Sequence, residues 1–245
     1  MKVTPVSFLI PVAALTLAVF PASYAFSGEI LRLGISSFAE HNINKALIDP
    51  TVEAIRNAIR PSKLEVEYLE LGRLQNFLKN GQLDLVISSA GNYRRFLLEG
   101  YGLRDLATMV SSQAPNPNYA EGSVFFVRSD RKNMDSIAAL KNKSVSANYP
   151  FAFSGWQIAA GELMDRDFDP DHFFSNVDFL GHGAAPVIDA VLSGKTDAGI
   201  VRACVLENAG LLKSSKVKVL DPKEESEFPC AVSTRLYPNW TLSTT

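Results

Sequence analysis

Cysteine, histidine and net charge are all scarce in this chain, and each scarcity removes a class of function. Among 245 residues there are 2 Cys, 3 His and a formal net charge of −2. With 24 Lys and Arg against 26 Asp and Glu, no basic field exists to gather nucleic acid, and any anion site must be assembled from local groups. His41, His172 and His182 stand far apart, and two Cys without a neighbouring His do not make a zinc spacing, so neither a metal nor another cofactor is expected. A Gly-x-Ser-x-Gly elbow is absent, and no His or carboxylate is placed by sequence to activate Ser154. Gly194-Lys195-Thr196 imitates the end of a phosphate loop, but Asp189 stands where its first glycine belongs and a strand follows where a helix is required. The chain is therefore expected not to be an enzyme.

Long apolar runs are confined to the N-terminus. Met1 to Ala25 combine a basic start at Lys2, an apolar run from Phe8 to Phe20 and a small-x-small site at Ser23-Tyr24-Ala25, the pattern of a secretory signal peptide. The run is shorter than the ~20 residues of a bilayer span, and nothing after it is apolar enough to cross a membrane. Cleavage before Phe26 takes Lys2 away, leaves a net charge near −3 and sends a chain of about 220 residues to the periplasm.

What remains alternates short β-branched runs with amphipathic stretches. Strands are predicted at Leu31–Ile35, Leu64–Leu69, Leu83–Ser88 and Leu106–Val110, with helices at Thr51–Ile59, Gly72–Asn80 and Tyr93–Glu99 between them. This order implies a parallel sheet covered by helices. The Pro-, Asn- and Ser-rich stretch from Ser111 to Gly122 then leads into a second series, with strands at Ser123–Arg128, Ser144–Ala147, Val177–Phe179, Ala198–Val201 and Val217–Leu220. Its helices are predicted at Ser154–Arg166, Pro186–Ser193 and near Leu206, and Cys230–Thr234 reads as a last strand returning to the first lobe. The expected lobes are 26–118 plus 230–245, and 119–229, with crossings near Asn116–Glu121 and Phe228–Cys230 acting as hinges.

One segment carries the most information. Ser146 to Gln157 reads as the end of a strand, a tight turn and a helix whose first turn holds Ser154 and Gly155, an arrangement that presents free backbone N–H groups to an anion. Phe153-Ser154-Gly155, the Gly181-His182 turn and the run from Val191 to Val201 together resemble the phosphate, phosphite and phosphonate branch of the periplasmic solute-binding proteins. Val201-Arg202, Leu206-Glu207 and Ser233 to Pro238 are especially similar to the periplasmic sensor segments of tetrathionate-type histidine kinases. The resemblance implies an α/β type II periplasmic-binding fold of two lobes, each a mostly parallel sheet flanked by helices. It also implies a small oxyanion as ligand, an ABC permease or a sensor kinase as partner, and a monomer. Family members continue past the returning strand with further helices, whereas this chain has Tyr237-Pro238-Asn239-Trp240 and a short remainder, which reads as a minimal first lobe or a shortened relative.

In open α/β sheets a ligand sits beyond the carboxyl ends of the strands. The candidates on the first lobe are Ser36, Ser37, Ser88, Ser89, Asn92 and Tyr93. On the second they are Phe153, Ser154 as helix N-cap, Gly155, Trp156, His182 in its Gly-His-Gly turn and Arg202, with Tyr119 at the first crossing. Serines also cap helices and form turns, and Trp156 and Tyr93 serve equally as lobe packing or as walls for a ligand. Arg202 stands where aminophosphonate binders of this family place an acid, so a guanidinium there suits a sulfonate, phosphonate or carboxylate; a salt bridge to Glu207 or another acid competes. Arg94-Arg95 reads as a solvated basic face. For Cys204 and Cys230 a disulfide, a thiol pair sensing a sulfur or arsenic compound and two buried thiols all remain open.

Overall fold

The computed structural model describes residues 28–37, 41–111, 114–224 and 228–245, without side chains over 41–47; the leader expected at Met1 to Ala25 lies outside the described residues. Two five-stranded sheets organise the chain. The first is built from β1 (Ile30–Ser36), β2 (Lys63–Leu69), β3 (Leu85–Ser88), β4 (Arg104–Thr108) and β10 (Thr241–Thr244), in the order β2-β1-β3-β10-β4. Strands β1, β2 and β3 are parallel, and β10 runs antiparallel between β3 and β4. The second comprises β5 (Ser123–Arg128), β6 (Ser144–Ala147), β7 (Asn176–Phe179), β8 (Ala198–Arg202) and β9 (Val217–Val219), in the order β7-β6-β8-β5-β9. This is the predicted α/β class.

Alternation along the strands explains why helices must cover both faces. In β5, Val124 and Phe126 enter a core shared with Val187 and Val191 of α6 (Ala185–Leu192). Phe125 and Val127 point the other way, into a core shared with Ala159 and Leu163 of α4 (Ile158–Asp165). In the first sheet Leu33 and Ile35 pack on Val52 and Ile55 of α1 (His41–Ala58). Val86 packs on Leu74 and Leu78 of α2 (Leu71–Lys79) and on Phe96 of α3 (Ala90–Leu98). Gly34 permits this closeness, since a Cβ there would lie 2.6 Å from Leu83 Cδ1 and 2.8 Å from Leu74 Cδ1. Each fully buried Phe or Leu in these layers contributes ~1.5–3 kcal/mol. Short helices α5 (Pro170–Phe173) and α7 (Val205–Asn208) complete the second lobe.

Three expectations are corrected. Helix α1 begins at His41 rather than Thr51, carrying Pro50 inside it; the apolar face from Val52 to Ile59 marks only its second half, and an internal proline is normally a helix breaker. The helix predicted to start at Ser154 opens instead with a π-helical turn, Phe153–Gln157, that leads into α4. Cys230–Thr234 forms no strand. It lies along the second sheet, where Val232 is buried, Ser233 N–H donates to Ser123 O at 2.9 Å and Ser233 Oγ donates to Leu220 O at 2.7 Å. The strand that enters the first sheet is Thr241–Thr244, too short and too rich in Thr and Ser to show an apolar alternation.

The second crossing lies at 237–239 rather than at the expected Phe228–Cys230, because Phe228 and Cys230 pack into the core of the second sheet, and it is hydrogen-bonded to the first crossing. Ala120 N–H and Glu121 N–H donate to Tyr237 O at 2.9 Å, Tyr237 N–H donates to Glu121 O at 2.8 Å, and Asn239 N–H donates to Pro117 O at 2.8 Å. Cys204 and Cys230 are joined by a disulfide (S–S 2.01 Å) that fastens the loop after β8 to the returning segment.

Candidate functional site

The carboxyl ends of β1, β3 and β4 in one sheet and of β6 and β8 in the other point toward the crossings, and the turns following β3 and β6 meet there. On the first lobe Ser36, Ser37, Ser88, Ser89 and Asn92 are all buried. Ser89 caps α3 by accepting the Asn92 N–H at 3.2 Å, and the N–H groups of Ala90 and Gly91 precede the first bonds of that helix. Tyr93 donates to Asp105 Oδ1 at 3.3 Å, and its phenol is raised above the usual tyrosine range by burial first and by the Asp105 charge second.

On the second lobe the N–H groups of Trp156 and Gln157 both donate to Ala152 O, at 2.9 and 3.0 Å. Ala152, not Ser154, is therefore the N-cap, and the N–H groups of Phe153, Ser154 and Gly155 precede the first bond of the turn. Ser154 is employed differently from a cap: its hydroxyl donates to Glu121 Oε2, and its carbonyl accepts from Ser123 Oγ at 2.7 Å. Gly155 is required by close approach, because a Cβ there would sit 2.5 Å from Asn148 Oδ1. Asn148 in turn donates to Gly183 O at 2.6 Å, tying this turn to the Gly181-His182-Gly183 loop, whose glycines both have φ of 84°.

Arg202 ends β8 and pairs with Glu121, Nη2 to Oε1 at 2.8 Å. Glu121 is 3% exposed while the Arg202 side chain is 48% exposed, so the carboxylate is enclosed and the guanidinium reaches solvent. The acid that competes for Arg202 is thus not Glu207, which accepts the Ala231 N–H at 2.7 Å. Glu121 was placed by sequence only in a hinge. Its signal was a lone acid beside Gly122 at the head of the apolar run Ser123–Val127, where a carboxylate must find partners to be buried.

Phe153 closes the two lobes on each other. It lies over Gly91, where a Cβ would come within 2.4 Å of its Cδ2, and meets the Tyr237 ring edge-on at 5.9 Å. Beside this contact lies a cavity of about 620 Å³. The first lobe supplies Gly91, Tyr93, Arg94, Asp105, Thr108 and Thr241 to its wall. Phe153 and Gln157 come from the second lobe, and Asn118, Tyr237 and Pro238 from the crossings. This size falls within the ~300–1,000 Å³ of small-molecule sites.

The structure brings together some of the expected residues and separates others. Tyr93 and Phe153 share the cavity wall, and Ser154 and Arg202 meet at Glu121. Trp156 packs inside the second lobe, 5.2 Å from Phe179 and 6.3 Å from Phe174. Tyr119 is exposed, and the wall uses its neighbour Asn118 instead. His182 is exposed with its ring 4.9 Å from that of Tyr149, whose phenol burial pushes well upward, and it takes no part in the cavity wall. Arg94, read as part of a solvated face, contributes to the cavity, whereas Arg95 pairs with Glu99 at 2.8 Å and lies over Phe151. Asp105 and Thr241 fall outside the predicted strands, and Thr108 was placed inside the strand expected at Leu106–Val110 rather than at its carboxyl end, so none of the three was legible as a site residue.

The family model described as ABC transporter, phosphonate, periplasmic substrate-binding protein matches residues 33–245. The tetrathionate sensor histidine kinase TtrS of Salmonella typhimurium is 24% identical over 216 residues; the match covers 86% of this chain, which spans about a third (36%) of that relative's length. Two solved structures share the fold. A binding protein component of an ABC phosphonate transporter from Pseudomonas aeruginosa superposes with a TM-score of 0.60 at 15% identity, covering 89% of this chain and 68% of that one. XAC2383 of Xanthomonas citri, bound to ATP, gives 0.62 at 18% identity over 89% and 77%. No helix among the described residues is long and apolar enough to cross a membrane.

Proposed function

Because the chain belongs to the periplasmic substrate-binding protein family of phosphonate ABC transporters, we propose that it is a non-enzymatic periplasmic receptor that binds a small oxyanion in the cleft between its lobes. The candidates are phosphonate, phosphite, phosphate or a sulfur oxyanion such as tetrathionate. The observation that carries this reading is the meeting of two helical N-termini, one from each lobe, at Gly91 and Phe153 beside the cavity. Each such end presents unbonded N–H groups and a partial positive charge of about half a unit, which together favour an anion reached from both lobes. Hydroxyl and amide groups of Thr108, Asn118, Gln157 and Thr241 complete the donors in the wall.

Closure is a hinge movement at the paired crossings, and the closed form is what a partner recognises. Both an ABC permease and a sensor kinase fit that role. Signalling is favoured by the kinase relative, whose match spans most of this chain. Thermal unfolding against a panel of these anions tests the reading. A ligand at a hundred times its dissociation constant adds ~2.7 kcal/mol, a rise of roughly 5–10 °C for a chain of this size. A cooperative transition that none of the anions moves would overturn it.

A further inference from the structure

The seat that the sequence reserves for a ligand anion is held by the chain's own carboxylate. Both oxygens of Glu121 are engaged, Oε1 by the Arg202 guanidinium at 2.8 Å and Oε2 by the Ser154 hydroxyl. Its main chain is fixed as well, bridged to Tyr237, a cavity residue, while the Ser154 it holds adjoins Phe153, another. A carboxylate only 3% exposed, paired and hydrogen-bonded in this way, is fixed behind the cavity wall, one residue removed from Phe153, rather than being a surface group that swings aside.

We propose that Glu121 sets the charge selectivity of the cleft, so that it takes a monoanionic oxyanion of the sulfonate class in preference to a dianionic phosphonate. The inference rests on the oxyanion reading above and adds the class of ligand. Side-chain charge at the site balances. Arg202 is offset by Glu121, and in the cavity wall Arg94 is offset by Asp105. Positive potential then comes from the two helical N-termini, about half a unit each, which together match one negative charge. A second negative charge on the ligand has no counterpart among these groups. Arg202 brings no net charge to a ligand, because its guanidinium is already paired with Glu121 through Nη2.

Calorimetric titration of the purified chain with methanesulfonate and methylphosphonate at pH 8.5 tests this, since the two differ little in shape but carry one and two charges. The wild type is expected to bind methanesulfonate at least about tenfold more tightly. Glu121→Gln keeps the side-chain shape while releasing the charge of Arg202, and should raise methylphosphonate affinity by about tenfold or more, erasing the preference. Arg202→Gln, at a half-exposed position, leaves the Glu121 charge unopposed and should widen the preference, providing a reading even where Glu121→Gln does not fold. A wild type that favours methylphosphonate, or a preference that neither variant moves, overturns the inference while leaving the oxyanion reading intact. Failure of both anions to bind any of the three proteins overturns the inference, while the oxyanion reading falls only if phosphate, phosphite and tetrathionate also leave the melting transition unmoved.

Discussion

Substituting Gly91 with alanine isolates the contact between the lobes from the folding of either one. Gly91 is the second residue of α3 and has ordinary helical geometry, so within the helix alanine should be favourable by roughly 0.5–1 kcal/mol. Across the cleft the same methyl meets Phe153 Cδ2 at 2.4 Å and Gln157 Oε1 at 2.8 Å, and the ring must move away before the lobes can close. Overpacking of this kind costs ~1–3 kcal/mol. The two effects act on different states: the helix gain is present in open and closed forms, whereas the clash exists only in the closed one. Gly91→Ala is therefore expected to weaken binding of whichever oxyanion raises the wild-type melting temperature by about 5- to 150-fold. In the same protein, guanidinium unfolding without ligand should be changed by less than about 1 kcal/mol. Calorimetric titration beside a denaturation curve reads both quantities. Wild-type affinity in a correctly folded Gly91→Ala protein would refute the reasoning, because the bound state could not then contain the contact between Phe153 and α3.

Three further outcomes follow from local chemistry. Ser123→Ala removes the hydroxyl that donates to Ser154 O and should lower stability by ~1–3 kcal/mol in denaturant melts, since an acceptor in a buried turn loses its partner; no loss would mean that water replaces it. Reducing the bridge between Cys204 and Cys230, separated by 26 residues, should cost about 3.5 kcal/mol through the freed unfolded chain, and intact-mass measurement should show two fewer hydrogens before reduction. The exposed His172 is raised above its ordinary 6.5, first by its hydrogen bond to Asp169 and then by that carboxylate's charge. A raised folded-state value means that its small stabilising effect is full below about pH 6.5 and disappears as pH climbs through the folded value. Nuclear magnetic resonance titration should give a midpoint above 6.5, and Asp169→Asn should return it to the ordinary range.

Much of the architecture was legible because burial on both faces leaves a simple trace. The runs Ser123–Arg128 and Ala198–Arg202 are almost uninterruptedly apolar, as central strands between two helical layers must be. Other parts were legible only in three dimensions. Pro50 concealed the first half of α1, since a rule about isolated helices does not know what packs beside them. Strand β10 is polar in sequence because it is held by ladder bonds on both sides, to β3 and β4, rather than by an apolar face of its own. At the site, sequence pointed to Ser154 and Arg202 but could not supply Glu121, which is brought to them by the hinge pairing with Tyr237 across a separation in sequence that no motif spans. Arg94 is exposed, as the sequence implied, but it also lines the cavity, because that face of α3 borders a cleft that exists only once the second lobe is in place.

The central claim is that an oxyanion is held between the two helical N-termini, and backbone amide shifts of the ¹⁵N-labelled chain on titration with the anion panel test it most directly. The account predicts that the largest shifts fall on Ala90–Tyr93 and Phe153–Gly155, saturating at one anion per chain. Shifts confined to other surfaces, or none at all, would contradict it.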